Sequence, residues 1–481
     1  MYQFGLWGYN MLLNSFDFLY FFFIVFCTYW LICHTSKSQN ILLLLANALF
    51  YAFFDWRFLF LLLISIIVSY YSGINLNKGG RRRICWYWIS IIINVGILGV
   101  FKYFNFFADS MCTLLRNVGL QVTNVSLYLM LPVGISFYTF QALNYVFDIY
   151  KRRIQPSADF IVVFNYISFF PLISSGPIER ARNIIPQLEK TRFFKYEDAV
   201  DGCKSILWGL FKKLVIADNC AVAVAQIFDN YNSLDSITLI YGMLLYTIQI
   251  YCDFSGYSNI AIGVAKLLGI NVMNNFSMPY LSRNVAEFWR KWHISLTTWF
   301  TEYIYIPLGG SRCSKFNQFR NTMIVFTVSG LWHGANWTFV CWGVYHGLLF
   351  LPHIFGKSIK YKDIIAENNI LPSIGEFIRV VSTILLVAIG WVVFRSSDIN
   401  MAYDYIYRMF TQWSFSLPVY GKSYIFLVLL LFVTEWVTRK YFDTYKVYIS
   451  NKAIRLSCYL LIAYLIVTAS GRTSSFIYFQ F

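Results

Sequence analysis

Charge is what this sequence is most short of: Asp, Glu, Lys and Arg make up 13% of its 481 residues, against about 25% in an ordinary soluble domain. Length alone would allow roughly three soluble domains of ~150 residues, but a chain this poor in charge cannot cover their surfaces. It also lacks any C-x-x-C pair. The ten cysteines lie mostly in apolar runs, which argues for buried thiols and against a zinc site, any other metal centre or a disulfide framework. No Lys or Arg precedes the first apolar run, Met11–Cys33, and no small-residue cleavage site follows it, so it reads as a retained helix and not as a removed signal peptide. There is no internal repeat, heptad or low-complexity tract, and residues 1–481 read as a single domain. The missing half-to-half repeat weighs against a transporter.

What is abundant is apolar. Hydrophobic residues are 58% of the chain and aromatics 20%. Long apolar runs recur from Met11 to Thr468, and about 20 such residues are what a ~30 Å hydrocarbon core demands of a helix. The fold class expected is all-α: a polytopic membrane protein of roughly 11–13 helices. The net charge of +16 would suggest nucleic acid in a soluble protein. Here the basic residues instead mark cytoplasmic loops and contacts to anionic membrane lipids or an anionic substrate, and no nucleic-acid partner is implied.

The early spans expected are 11–33, 41–54, 58–73, 85–101 and 127–148. Loops 34–40, 74–84 and 149–159 carry Lys37, Lys78, Arg81, Arg82, Arg83, Lys151, Arg152 and Arg153, against Arg57, Lys102 and Arg116 in the opposite set. By the positive-inside rule the richer set is cytoplasmic and the N-terminus extracytoplasmic. The stretch 160–175 is short and interrupted by Pro171, and a full crossing would place the basic segment 180–213 outside. A re-entrant or tilted half-helix fits better and implies a cavity nearby. Later spans expected are 236–252, 257–270, 285–308, 320–351 (long enough to be bent or broken), 376–395, 424–438 and 454–470.

Polar residues inside apolar surroundings cost a few kcal/mol each and so point to function. SGLWHGANWTFVCWGVYHG holds His333 beside Trp332, then Asn336 and Trp337, then His346. On an unbroken helix the two histidines lie about 220° apart and share no face. A core histidine bonded to a carbonyl is the competing reading for His333 and the leading one for His346. AEFWRKWHISLTTWFTEYIYIPLGG holds Trp289, Arg290 and His293, and helical spacing sets Arg290, His293 and Thr297 on one stripe. An interfacial aromatic belt accounts for the same residues as well. Asp253, in YCDFSGYSNIAIG, serves as a cation partner or cap as readily as a site residue. In SFFPLISSGPIERAR, Gly176 and Pro177 break the chain before Glu179 and Arg180, which suits either a mouth for an anionic ligand or a plain interfacial loop.

The strings LPVGISFYTFQAL, ISFFPLISSGPIERAR, GLFKKLVIADN, YCDFSGYSNIAIG, EFWRKWHISLTTWFTEYIYIPLGG and SGLWHGANWTFVCWGVYHG, in order from about residue 125 to 350, resemble the membrane-bound O-acyltransferase family. Within it they resemble the bacterial branch that acetylates alginate and other exopolysaccharides. The resemblance implies a helical bundle with re-entrant elements around a central funnel, with His333 buried where an acyl-CoA tunnel meets an outward cavity. It makes His293 the second motif residue. Trp332, Asn336, Trp337, Arg290, Trp289 and Asp253 are then candidates for donor binding or the site wall. Two departures, Asn259 for a frequent Asp and Thr301 for a frequent Arg, lie away from the histidines.

The implied enzyme sits in the bacterial cytoplasmic membrane and binds no cofactor. It moves an acyl group, acetyl before others, from cytosolic acyl-CoA towards hydroxyls of an exported or cell-wall polysaccharide, through an extracytoplasmic partner acyltransferase of SGNH/GDSL type. D-alanyl transfer to teichoic acid is the alternative, and a transporter or flippase is the reading from another class. A neutral imidazole at the site can take the proton of an attacking hydroxyl, an effect worth ~10²- to 10⁴-fold.

The tail 471–481, ending SSFIYFQF, is too apolar to sit in water and is expected either to dock in an extracytoplasmic cavity or to anchor at the interface. It resembles endings in that same bacterial branch whose tyrosine relays an acyl group, here Tyr478. The stretch from Gly471 to Tyr478 reaches ~23 Å when extended. A phenol of pKa ~10 also leaves an ester far more readily than a sugar alcohol does.

Overall fold

The structure is a computed structural model that describes residues 11–123, 126–127, 129–356, 364–414, 417–418, 420–421, 424–441, 449, 451–471 and 476–477. Among them the regular structure is helical throughout, with no strand. The chain divides into two compact units, Met1–Cys203 with Ala261–Met273, and Lys204–Ile260 with Asn274–Phe481.

The first unit contains α1 (Phe16–Leu31), α2 (Ser36–Asp55), α3 (Leu59–Leu76), α4 (Gly80–Leu98), α5 (Phe104–Asn117), α6 (Ile135–Tyr150), α7 (Phe160–Ser168), α8 (Phe170–Ile173), α9 (Ala181–Glu189) and the start of α10 (Tyr196–Leu210). Local sequence sets these boundaries. The Ser15 hydroxyl accepts the N–H of Phe18 to start α1, and a Thr35–Ser38 capping box starts α2. Extended backbone at Asp55 ends α2, and a short turn, Trp56–Phe58, leads into α3. Helix α3 packs on both α4 and α6. The stretch 160–175 forms the nine residues of α7 and the single turn of α8 opening on Pro171, almost wholly buried. At 1.5 Å per residue α7 is about 14 Å long, too short to cross a bilayer. The expected span 127–148 begins later than its hydropathy suggested, because Gly134 in the left-handed region (φ 71°) starts α6 at Ile135.

The second unit takes the end of α10, which widens into a π-turn at Phe211–Ala217 before α11 (Asp218–Asp229). Then come α12 (Ser236–Leu267, whose end from Ala261 belongs to the first unit), α13 (Val285–Lys291), α14 (Ile294–Phe300), α15 (Lys315–His333), α16 (Trp337–Leu348), α17 (Leu351–Phe355), α18 (Ile374–Arg395), α19 (Ile399–Thr411), α20 (Ile425–Thr438) and α21 (Lys452–Thr468). The expected spans 236–252 and 257–270 are a single helix of 32 residues. The polar break read at Asp253 does not interrupt it, because the Asp253 carboxylate lies 2.7 Å from the Lys213 ammonium and its charge is matched inside the unit. The expected span 285–308 is in fact two short helices, α13 and α14. The expected 320–351 segment breaks at Gly334–Asn336 into the hairpin α15–α16. The two arms approach closely because Gly330 and Gly343 face carbonyls of Phe339 and Phe326 that a Cβ would overlap. Among the described residues, five stretches have the length and hydropathy to cross a membrane: Ser36–Leu76, Gly80–Asn117, Ser236–Leu267, Trp337–Phe355 and Ile374–Arg395.

Candidate active site

The site gathers inside the second unit, at the two places where helices are interrupted beside a histidine. The first interruption is Trp292–His293. His293 has φ 44° and ψ 53°, a left-handed conformation that the chain adopts between α13 and α14, and that costs a side-chain-bearing residue roughly 1–2 kcal/mol. Asn275 holds it there. The Asn275 backbone carbonyl accepts the N–H of Ile294 at 2.9 Å. Its side-chain Oδ1 accepts the N–H of Ser295 at 3.3 Å and the Ser295 hydroxyl at 2.9 Å, and lies 2.9 Å from His293 Nδ1. The Asn275 amide nitrogen donates to the Ser258 hydroxyl at 3.1 Å. Helical periodicity does not survive this turn, so Arg290, His293 and Thr297 form no common stripe: Arg290 is exposed on α13 while His293 is buried.

The second interruption follows His333, the last residue of α15. Its imidazole is 4% exposed and stands edge-on to Trp342 at 5.1 Å and Phe394 at 5.4 Å, with Trp332 at 5.0 Å. Trp332 also lies 6.0 Å from the His293 ring, so both imidazoles are neighbours of one indole. Trp342 in turn touches His346 at 4.9 Å, and Trp289 reaches both Trp342 and His346. Trp391 of α18 closes this wall against Trp342 and Trp292. Breaking the helix at Gly334 thus brings His333 and His346 to the same tryptophan, which an unbroken helix would not do. Such a wall excludes water, the condition under which a thioester survives beside a base.

A third group lies next to these. Lys213, on the π-turn, is fully buried between Asp218 (2.8 Å) and Asp253 (2.7 Å). The other oxygen of Asp253 accepts the backbone N–H of Ile477 at 2.8 Å. Phe476 is 0% exposed, packed on Tyr257 at 4.2 Å and Phe254 at 6.0 Å, and Phe254 stands edge-on to the His293 ring at 4.6 Å. Further back along the tail, Gly471 donates to the Leu214 carbonyl and Asn219 donates to that of Ala469. The tail is therefore fixed to the π-turn region at one point and to Asp253 at another. Tyr478 lies outside the described residues.

Over residues 86–360 the chain matches the family model of membrane-bound O-acyltransferases, a range that contains both histidine breaks. It is 35% identical over 419 residues to a probable alginate O-acetylase, AlgI, of Pseudomonas aeruginosa, covering 86% of this chain and 77% of the relative. The chain belongs to the membrane-bound O-acyltransferase family. This acyltransferase is also 32% identical over 389 residues to a peptidoglycan O-acetyltransferase of Helicobacter pylori (75% of this chain, 71% of the relative). To a teichoic acid D-alanyltransferase of Bacillus subtilis it is 28% identical over 247 residues, 48% of this chain and 61% of the relative. It is an O-acyltransferase with the helices of a multi-pass membrane protein.

Of the residues singled out in the sequence, the enzyme's fold brings together His333, His293, Trp332 and Trp289, with Asp253 one aromatic layer away. It does not bring in Trp337, which is 51% exposed at the start of α16. Asn336 caps α16, accepting the N–H of Thr338 and donating to the Ser397 carbonyl at 2.8 Å, so its side chain is occupied in ending the break. Glu179, in the first unit, is buried and takes N–H groups from Arg180, Asn183 and Met273, which makes it a loop clasp. Sequence reasoning missed Asn275 and the pairing of Lys213 with Asp253. Lys213 stood in view in GLFKKLVIADN, but Lys212 and Lys213 are both buried and nothing local told which carboxylates Lys213 would meet. Among the described residues no three His, Cys, Asp or Glu side chains converge as a metal site.

Proposed function

We propose that the enzyme takes an acetyl group from cytosolic acetyl-CoA and passes it through Tyr478 and an extracytoplasmic SGNH-type acyltransferase to hydroxyls of an exported or cell-wall polysaccharide. The observation that carries this is the meeting of three elements in one water-poor place: His333 and His293, both beside Trp332, and the tail anchored by Ile477 on Asp253 beside Phe254. The residue after Ile477 in the sequence is Tyr478. His333 accepts the phenol proton as the oxygen attacks the thioester carbonyl, the C–S bond breaks, and the proton goes on to the departing thiolate. The tyrosyl ester keeps acyl-transfer potential for the next acceptor because its leaving group is a phenol. His293 is the second proton carrier.

The relatives named for alginate and peptidoglycan O-acetylation support a polysaccharide acceptor, and both span three-quarters or more of this chain. The D-alanyl relative spans only 48% of it, which favours acetyl over D-alanyl. The charge pattern supports a bacterial cytoplasmic membrane location with the N-terminus outside and segments 74–84, 149–159 and 176–213 on the cytoplasmic side.

The test is His333→Ala. Protein level and monodispersity in detergent should match wild type while acetylation of the exported polymer falls by at least ~10²-fold. Substantial acetylation in that variant would remove His333 from the chemistry.

A further inference from the structure

We propose that Asn275 is a positioning residue that locks His293 into the tautomer protonated at Nδ1, so that Nε2 alone exchanges protons during acyl transfer. The inference rests on the reading of His293 as a proton carrier and adds the group that makes it one.

The atoms around Asn275 fix the assignment. Its Oδ1 receives the Ser295 backbone N–H, a group that can only donate, so the atom at that corner of the amide is the oxygen. An amide oxygen only accepts. His293 Nδ1, 2.9 Å from it, must then be the donor and carry the ring proton. In a neutral imidazole with Nδ1–H, the lone pair is on Nε2. The Asn275 nitrogen is committed in turn to Ser258 on α12, which holds the amide against rotation. Ser258, Asn275 and His293 thus form a line of three groups, each oriented by the one before it.

The same side chain makes the turn. The left-handed backbone at His293 is held by the Ile294 N–H on the Asn275 carbonyl and by Ser295 on Oδ1, while Ser277 N–H donates to the Lys291 carbonyl on the other side of the turn. One residue therefore sets both where the imidazole stands and which nitrogen is basic. Among the described residues the rings of Phe254, Phe276 and Trp332 face His293, and none of them titrates. Beside Nδ1 stand Asn275 Oδ1 at 2.9 Å and, further off, the Ser295 hydroxyl at 3.5 Å, whose own proton goes to Asn275.

In the reaction the acyl C–S bond breaks, a new C–O bond forms, and the hydroxyl proton ends on the thiolate sulfur. His333 takes that proton from the hydroxyl; as the second carrier, His293 receives a proton and gives it up through Nε2, and the Nδ1–H bond to Asn275 stays intact. If Nε2 carried the fixed proton instead, the lone pair would point at Asn275 and the ring could not take one up from the substrate side.

Two measurements on the full-length enzyme test this. The first is kinetic, comparing Asn275→Leu, which keeps volume and removes the acceptor, with Asn275→Asp, which keeps an oxygen there. Asn275→Leu should lower kcat by about 10- to 100-fold with the KM for acetyl-CoA within about twofold, and Asn275→Asp should recover most of the loss. A packing role would give the opposite order. Wild-type kcat in Asn275→Leu overturns the proposal.

The second is spectroscopic and does not depend on turnover or on that variant folding. The protein has 5 histidines, so nitrogen-15 histidine labelling gives a countable set of ring signals. The pair lost in His293→Ala should show a protonated Nδ1 and a bare Nε2. A protonated Nε2 overturns the proposal. His293→Ala with unchanged transfer would instead overturn the proton-carrier role, and the tautomer would still be read directly from the spectrum.

Discussion

Both units bury polar side chains in a mainly apolar interior, but they use them differently. In the first unit a set of them closes onto partners that end or join helices. Arg192, 6% exposed, donates to the Tyr29 hydroxyl, the Leu188 carbonyl and Asn40, tying α1 and α2 to the end of α9. Asn47 and Asn165 bond each other across α2 and α7, and Asn165 also reaches the Asn40 carbonyl. In the second unit the buried histidines stand among aromatic rings, His293 is tethered through one nitrogen, and a carboxylate divides itself between a lysine and the chain's own tail. The first arrangement stabilises a shape, whereas the second holds groups ready for chemistry. Substitutions should therefore separate cleanly into losses of stability and losses of activity.

The largest expected effect is at Tyr478. Tyr478→Phe keeps an aromatic ring and removes only the hydroxyl, and polymer acetylation should fall to background with normal protein level. Normal acetylation would leave the tail as an anchor only. His293→Ala comes next, with turnover down by about 10- to 100-fold and acetyl-CoA affinity little changed; equal losses in both would point to a structural role instead.

Asp253→Ala should cost about tenfold in transfer by freeing the Ile477 N–H, and Asp253→Asn should cost less because it keeps an oxygen for that bond. Since Lys213 retains Asp218 in both, each variant should still fold. Equal activity of the two would separate the tail bond from catalysis. Arg192→Ala crosses to the other side of the comparison. It strands several buried acceptors, and it should lower stability by on the order of 2–3 kcal/mol while the folded fraction keeps near-wild-type specific activity. A fall in specific activity without loss of stability would break the contrast between the units. The smallest effect belongs to Arg290→Ala and Trp337→Ala, both exposed, each expected within about twofold of wild type in transfer.

Hydropathy and helix breakers made much of the frame legible. Proline in a short apolar run marked 160–175 as broken, and glycine in a long one marked the break after His333. Two errors share a cause, since both came from residues whose behaviour is decided far away in sequence. Asp253 looked like the end of a helix because its neutralising lysine is 40 positions upstream at Lys213. His293 looked helical because the group that turns the backbone, Asn275, sits in a loop 18 residues before it. Local periodicity carries neither fact. The histidines themselves were readable because an ionisable residue in an apolar, tryptophan-rich segment is costly wherever it folds.

The most direct test of the account is covalent. Purified wild-type enzyme and His333→Ala would each be incubated with isotopically labelled acetyl-CoA, quenched in acid, digested and read by mass spectrometry for label on Tyr478. Labelled acetyl-Tyr478 in the wild type and its absence in His333→Ala is the result predicted. An unlabelled Tyr478 in wild-type enzyme that is still transferring acetyl groups, or equal labelling of Tyr478 in both proteins, would contradict it.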